Sequence, residues 1–351
     1  MVTFIIGNGF DIQVGLNTRY TDFYKEYVKV TDGDSLVVQR FKSEIAGDLK
    51  TWADFELQMG KYSEKFLGET TEEFLECHND FVNSLNDYLK KECGSVDWRR
   101  PFIEIEFLKS IVNYQKFIKS ESTDKLKSHR KHFSFLQFNY TDAFNILLNR
   151  SALTNASKLD REDARLRYHH NIQVHGRIDD HPVVGVGTET QIANKYIRAN
   201  SDVKTVFVKP NYLEVLHSQD VNQGSVVKRA LDVIDDSKVI CSFGASIGDT
   251  DGFWWRKVGD WLKKSTDTTL VIFNISGVVG DGVSPLQFMK SINAKIDKRN
   301  AIKKQFAKVA NLEQAWLKEN ESRVIVELDS DMFNFKLPRK EPAPIFVAKG
   351  N

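Results

Sequence analysis

The stretch Val2-Thr-Phe-Ile-Ile-Gly-Asn-Gly-Phe-Asp11 decides the fold that we predict for this chain. Val2 to Ile6 is a short β-branched and aromatic run, which is the composition of a buried strand. It ends in Gly7-Asn8-Gly9, and in open α/β sheets ligands bind just beyond the carboxyl end of such a strand. Glycines there let backbone N–H groups approach a phosphate. The same turn also occurs without a ligand, so this loop alone leaves both interpretations open.

Further apolar runs of strand length follow along the chain, and most of them end on small or polar residues. Helical patterns separate many of these runs, and this alternation predicts an α/β fold with a doubly wound, mainly parallel, Rossmann-like sheet. The predicted strands are Phe133 to Phe138, Ile172 to Val174, Val183 to Val186, Thr205 to Val208, Lys238 to Phe243, Thr269 to Ile275 and Arg323 to Leu328.

The region between the first two strands has apolar residues at helical spacing and no strand signal of comparable strength. We therefore predict three parts: a Rossmann-like nucleotide-binding domain of residues 1–20 plus 133–335, a helical insertion of residues 21–132, and a C-terminal tail of residues 336–351. A long helical stretch between Gln287 and Asn320 is basic from Lys290 to Lys308. A solvated face is the favoured interpretation of these lysines, and contact with nucleic acid is the alternative.

Composition narrows the classes of partner. The chain of 351 residues has 49 Lys+Arg against 48 Asp+Glu, so no global field attracts nucleic acid or an anionic membrane. Its three cysteines are isolated in sequence, which is typical of free thiols in a reducing compartment. No apolar stretch approaches the roughly 20 residues of a membrane span, and the first strand does not read as a signal peptide. We expect a cytoplasmic protein.

Several familiar catalytic motifs are missing from the sequence. There is no phosphate-binding loop of the Walker type, and no nucleophile elbow. The dinucleotide fingerprint is incomplete, because Ile12 stands where its third glycine would be. No group of residues has zinc-ligand spacing, so we expect no metal site.

Polar residues follow several predicted strands and form the candidate site. Because parallel strands end at one edge of a sheet, side chains distant in sequence converge there. Each of them also has a simpler structural explanation, as a turn residue or a helix N-cap. The residues are Asn8, Asp11, Asn139, Asp142, His175, Ser246, Asp249 and Asp251.

The sequence between Val2 and about Trp255 resembles the AbiH family, bacterial abortive-infection proteins that act against phage. The motifs that carry the resemblance are Gly7-Asn8-Gly9-Phe10-Asp11, Gly15-Leu16 with Thr18 and Tyr20, Trp52 with Asp54-Phe55-Glu56, Phe138-Asn139-Tyr140-Thr141, His175-Gly176, and Gly244-Ala245-Ser246 with Asp251.

The order of these motifs is also similar to that of the sirtuin-like NAD-binding domains. Gly7, Gly9 and Gly15 have the spacing of the glycines that cradle the dinucleotide in that group. Asn139 and His175 correspond to its Asn and its catalytic His, and Gly244 with Ser246 to its ribose-contacting loop. Asn8, Asp11 and Asn17 depart from the sirtuin pattern. The paired zinc cysteines are absent, which disfavours protein deacetylation.

These resemblances imply NAD as the ligand and cleavage of its N-glycosidic bond, with no metal. His175 would be the general base, Asn139 would orient the ribose or the water, and Asp11 would stabilise an oxocarbenium-like state or merely cap the first helix. Trp52 and Glu56 could close over the site or pack between helices. The implied ligand-binding residues are Gly7, Asn8, Gly9, Phe10, Gly15, Thr18, Asp142, Gly244, Ser246 and Asp251.

Depletion of NAD would have to be restrained before infection, so a homo-oligomer or a partner defence protein is implied. Two other functions stay open. The fold could sense a nucleotide such as NAD without turning it over, or the basic helix from Lys290 to Lys308 could target nucleic acid.

Overall fold

Six parallel strands form the centre of the protein in a computed structural model, which describes residues 1–66, 70–99, 103–119, 132–153, 167–178, 182–217, 225–277 and 284–341. The strands are β1 (Val2–Ile6), β2 (His132–Gln137), β3 (Arg167–Gln173), β4 (Val239–Phe243), β5 (Thr269–Asn274) and β6 (Val324–Leu328). They lie in the order β3-β2-β1-β4-β5-β6, and every neighbouring pair is parallel. This is the strand order of a Rossmann-like sheet, so the predicted fold class is confirmed.

Helices surround this sheet. Within the described ranges, no helix combines the length and apolar character that crossing a bilayer requires. The helices are α1 (Gly9–Gln13), α2 (Tyr20–Tyr27), α3 (Leu36–Gly47), α4 (Phe55–Tyr62), α5 (Thr71–Gly94), α6 (Ile103–Val112), α7 (Ala143–Leu153), α8 (Lys195–Ala199), α9 (Ser201–Phe207), α10 (Lys209–His217), α11 (Val226–Asp235), α12 (Gly252–Lys264), α13 (Pro285–Val309) and α14 (Gln314–Glu319).

Both faces of the sheet are covered, which is why all five residues of β1 are buried. Phe4 and Ile6 belong to an apolar cluster with residues of α1, α6 and α7. Ile5 points to the opposite face and joins a second cluster with residues of α11, α12 and α13. Because side chains alternate across a strand, β1 contributes residues to both apolar clusters. It lies in the centre of the doubly wound sheet.

A third apolar cluster lies beside the sheet and is rich in aromatic side chains. It joins residues of α2 to α5 with residues between Ile178 and Val208, including Trp52. Trp52 is 2% exposed, and its carbonyl oxygen accepts a hydrogen bond from Tyr24 Oη at 2.7 Å. Helix packing is therefore the role of Trp52. The predicted boundaries of the helical insertion, at residues 21 and 132, stay a prediction.

Two predicted strands are wrong. Val183 to Val186 and Thr205 to Val208 contribute only one isolated parallel bridge, between Val186 and Val208. Ser201–Phe207 is the helix α9, because the side chain of Asn200 accepts hydrogen bonds from the N–H groups of Asp202 and Val203. This cap favours a helical start over an extended chain, despite the β-branched residues that follow.

The predicted basic helix between Gln287 and Asn320 differs from the sequence prediction in its continuity and in the exposure of its lysines. The predicted single helical stretch is divided into α13 and α14 at Asn311, whose φ is 55°. Lys303 is buried and its Nζ lies 3.1 Å from Glu321 Oε1. Part of the positive charge is thus neutralised within the fold, whereas Lys290, Lys298, Lys304 and Lys308 are exposed.

Candidate functional site

A cavity of about 280 Å³ lies at the carboxyl ends of the central strands, where the sheet order reverses between β1 and β4. Its lining comes from the loops after β1, β2, β3 and β4 and from residues of α4, α5 and α10. The sheet therefore brings together predicted site residues from distant parts of the chain. Those lining the cavity are Gly7, Asn8, Asp11, Thr18, Asn139, His175, Gly244, Ser246 and Asp251.

Four other predicted ligand-binding residues, Gly9, Phe10, Gly15 and Asp142, are not among the lining residues. Phe10 is fully buried in the core, with its ring edge-on to Phe333 at a centroid distance of 5.1 Å. Gly15 turns the chain after α1 with a φ of +95°. Asp142 precedes α7, and its Oδ1 accepts a hydrogen bond from Asn145 Nδ2 at 3.2 Å.

The glycines of the first loop serve close packing. The N–H of Gly9 donates to the carbonyl oxygen of Gly244 at 2.9 Å, and the N–H of Gly7 donates to Phe243 O at 3.0 Å. A Cβ atom on Gly9 would lie 2.4 Å from Gly244 Cα, which is too close for any side chain. These residues thus let the loops after β1 and β4 touch, and the two N–H groups already have carbonyl partners.

Asp11 orients Asn139 at the cavity wall. Thr141 Oγ1 lies 2.9 Å from both carboxyl oxygens of Asp11, and Asn139 Nδ2 donates to Asp11 Oδ1 at 3.2 Å. Asn8 is the N-cap of α1, so Asp11 does not cap that helix. The Oδ1 atom of Asn139 is buried without a hydrogen-bond partner among the described residues. Asn139 lines the cavity, and its Oδ1 atom is an acceptor that the described residues leave without a donor.

His175 follows β3, and its ring is held through one nitrogen while the other faces a carboxylate. Nδ1 donates to the carbonyl oxygen of Phe138 at 3.2 Å, while Nε2 lies 3.2 Å from Asp251 Oδ1. Nε2 makes no well-directed hydrogen bond within the described part of the chain. Because the Nδ1 proton is held by a carbonyl group, a neutral His175 carries its lone pair on Nε2. That atom can accept a proton, and Asp251 would then pair with the imidazolium.

Lys209 is a charged cavity residue that the sequence prediction missed. Its Nζ donates to Glu56 Oε2 at 2.8 Å and to Asp251 Oδ1 at 2.9 Å. Glu56 Oε1 in turn accepts from Tyr140 Oη at 3.2 Å, and Glu56 lines the cavity, which is one of the two roles left open for it. The signal was available: Lys209 is the polar residue that ends the apolar run Val206 to Val208, the pattern by which the other candidates were chosen.

Burial and neighbouring charges shift the pKa values of two carboxyl groups at the cavity, Glu56 and Asp251, in opposite directions. Burial raises the pKa of Glu56, although Lys209 opposes the change. Burial also disfavours the charged form of Asp251, but Lys209 and His175 outweigh it and hold the pKa of Asp251 well below its usual range. Asp251 is therefore the carboxylate that stays ionised. Across the described residues, no group of three or more His, Cys, Asp or Glu side chains could hold a metal ion.

Comparison with protein-family models identifies the family of this protein. A family model described as bacteriophage abortive infection AbiH matches residues 3–273. The chain belongs to the AbiH family. Abortive infection, a defence against phage, is therefore its functional class. No curated protein matches the chain. The matched range of this AbiH protein extends from β1 to β5 and includes all the cavity residues described above.

A first prediction for this AbiH protein concerns Asp11. Burial raises its pKa to about 7, against the opposing hydrogen bonds from Thr141 and Asn139. The pKa of Asp11 is higher in the folded state than in the unfolded state. The contribution of Asp11 to the free energy of unfolding is therefore fully present below the unfolded pKa of about 3.9 and is lost as pH rises to about 7. The wild type should therefore lose about 3 kcal/mol between pH 4 and pH 7, relative to the isosteric Asp11→Asn variant.

Urea unfolding of both proteins across this pH range measures the difference. Comparison with the variant cancels the titration of all other groups, because only Asp11 differs between them. Parallel stability curves for the two proteins would show that Asp11 keeps an ordinary pKa.

Proposed function

We propose that this protein acts in antiphage defence by binding NAD at the cavity and hydrolysing its N-glycosidic bond. The observation that carries the proposal is that two residues lining one cavity at the strand ends, Asn139 and His175, each have a buried polar atom without a hydrogen-bond partner among the described residues, Oδ1 and Nε2. Buried polar atoms without partners are uncommon in folded proteins, and a bound ligand or water accounts for them at a functional site.

The size and charge of the cavity support binding of the nicotinamide riboside end. About 280 Å³ is at the low end of the range for small-molecule sites and suits part of a dinucleotide. The described lining residues include one lysine and no arginine, and that lysine is already paired with two carboxylates. A cationic nicotinamide ring fits these surroundings better than a pyrophosphate. The phosphates would extend towards Ser246, which is exposed.

The proposed reaction breaks the bond between C1′ of the ribose and the nicotinamide nitrogen. The bonding electrons leave with nicotinamide, which becomes neutral, and the ribose develops oxocarbenium character. Carboxylates near the cavity stabilise that positive charge. Asn139 Oδ1 orients the attacking water, whose proton passes to His175 Nε2 as the new C–O bond forms. The products are nicotinamide, ADP-ribose and a proton.

Incubation of the purified protein with NAD tests the proposal. We expect nicotinamide and ADP-ribose to appear in equal amounts, measured by chromatography, either spontaneously or with protein isolated from phage-infected cells. NADH is the matched control and should not be cleaved, because its nicotinamide ring carries no positive charge and is a poor leaving group. Tight binding of NAD without turnover would favour the nucleotide-sensing alternative, and no binding at all would contradict both.

An activity of this kind requires restraint before infection. A homo-oligomer or a partner defence protein would supply it, and the cytoplasmic NAD pool would be the target. Contact of the exposed lysines of α13 with nucleic acid is the remaining alternative. Binding that weakens steeply as salt concentration rises would support it.

A further inference from the structure

Lys209 occupies a position where an ammonium group is unfavourable without partners, because burial removes its hydration. Its side chain is 5% exposed, and its two carboxylate partners, Glu56 and Asp251, are nearly as well buried. The contacts of 2.8 and 2.9 Å join α4 of the helical region to the start of α12 beside the sheet. Lys209 thus lies between two acidic groups that come from different parts of the fold.

One oxygen atom of Asp251 has two basic neighbours. Lys209 Nζ approaches Asp251 Oδ1 at 2.9 Å, and His175 Nε2 approaches the same oxygen at 3.2 Å. Although Asp251 is the N-cap of α12, its side chain makes no capping hydrogen bond to that helix. The carboxylate of Asp251 therefore contacts Lys209 and His175 and not the backbone of α12.

The sharing has an electrostatic consequence. Charges a few ångströms apart interact strongly when they are shielded from water, so an unshared Asp251 carboxylate would attract a positive charge on the imidazole more strongly than a shared one. Lys209 offsets part of the negative charge at the oxygen atom that faces Nε2. Glu56 acts in the opposite sense, because its carboxylate offsets part of the charge of Lys209.

We propose that Lys209 is a positioning residue for His175: by sharing Asp251 Oδ1, it weakens the pull of that carboxylate on a proton at Nε2, so that Nε2 can take the proton of the attacking water. The catalytic part of this inference, that His175 accepts a proton in the reaction, rests on the proposed function. Lys209 itself need not touch the substrate.

Other ionisable groups face the same space. Burial raises the pKa values of Tyr20 and Tyr140 well above the ordinary value, so both stay neutral. Asp11 changes charge near pH 7, and its contribution is separated by repeating the measurements in an Asp11→Asn background. The ionisable side chains that line the cavity are Asp11, Tyr20, Asp54, Glu56, Tyr140, His175, Lys209 and Asp251.

The test is the pH dependence of nicotinamide release by Lys209→Met. We expect the acid limb of the profile to move upward by about one pH unit, with a roughly tenfold loss of rate on the limb and recovery at high pH. An equal loss at every pH would show that Lys209 is merely structural and would overturn the proposal.

Glu56→Gln provides a second variant with the opposite expectation. It removes the carboxylate that competes for Lys209, so the acid limb should move to lower pH. If the acid limbs of Lys209→Met and Glu56→Gln moved in the same direction, the proposal would be contradicted. If Lys209→Met does not fold, the double variant Lys209→Met/Glu56→Gln removes one charge of each sign and leaves Asp251 unshared. Its acid limb should still move upward, and an unmoved limb would overturn the proposal.

A readout without substrate separates this inference from the proposed function. The imidazole of His175 can be titrated by NMR in the wild type and in Lys209→Met, with the resonance assigned from its loss in His175→Ala. A higher titration midpoint in Lys209→Met supports the role of Lys209 even if NAD is not hydrolysed. Release of nicotinamide with an unchanged midpoint overturns that role and leaves the proposed function standing.

Discussion

Replacement of His175 by alanine is expected to lower nicotinamide release from NAD by about a hundredfold or more, the scale of general acid–base catalysis. Alanine removes Nε2, the atom that would take the proton of the attacking water. The neighbouring groups are poor substitutes, because the low pKa of Asp251 makes its carboxylate a weak base and Lys209 already carries its proton. The measurement is the initial rate of nicotinamide formation near neutral pH.

His170→Ala is the matched control for this substitution. His170 also belongs to the β3 region but is exposed and outside the cavity, so its loss should leave nicotinamide release unchanged. Circular dichroism of His175→Ala checks folding, since removal of a buried ring leaves space beside Asp251. His175→Gln fills more of that space and should be equally inactive. A folded His175→Ala protein with a rate within about tenfold of the wild type would contradict the assigned role.

Replacement of Gly9 by alanine is expected to destabilise the fold by about 3 kcal/mol or more, a large share of the stability of a typical domain. The added Cβ would lie 2.4 Å from Gly244 Cα and 3.0 Å from Gly244 O. These are backbone atoms of a loop that is tied to β4, so no flexible side chain can move aside. The loops after β1 and β4 would have to separate, and the hydrogen bond from Gly9 N to Gly244 O would be lost.

Gly47→Ala is the control for this second substitution. Gly47 ends α3, and an added Cβ there would meet no described atom within 4 Å. Alanine at a compatible helical position should stabilise by about 0.4–1 kcal/mol. The free energy of unfolding in urea measures both variants. Equal stability of Gly9→Ala and wild type would mean that the loops after β1 and β4 have room for a Cβ atom at Gly9.

Much of the candidate site could be predicted because the rule behind it is geometric. Short apolar runs such as Val2–Ile6 and Val239–Phe243 are recognisable from composition, and parallel strands end at one edge. The polar residue after each run then points to the cavity without knowledge of any other contact. Asn139 and His175 were found in this way, although their shared surroundings were not visible in sequence.

The part that could not be predicted depends on long-range partners. Val206 and Phe207 look like strand residues, but the cap at Asn200 and the packing of Phe207 against Phe74, at a ring distance of 5.3 Å, favour a helix. The partners of Lys209 could not be predicted, because nothing near it in sequence indicates that Glu56 will lie 2.8 Å away. A buried lysine is recognisable only from the charges that surround it.

The glycines of the first loop show a related limit. Gly7-Asn8-Gly9 was expected to leave N–H groups open for a phosphate, whereas the N–H groups of Gly7 and Gly9 donate to backbone carbonyls. The sequence pattern predicts that a backbone approaches closely at these positions. It does not say whether the approaching group belongs to a ligand or to another loop of the same protein.

The central place of β1 in the sheet has a consequence for synthesis of the protein. Val2 pairs with Phe133 on one side and with Val239 on the other, so the earliest strand waits for partners that leave the ribosome much later. Such long-range pairing makes folding slow. His175, Lys209 and Asp251 also emerge late, so a nascent chain that stops before them has no complete cavity. For a protein of abortive infection, an interrupted translation therefore yields fragments without the assembled site.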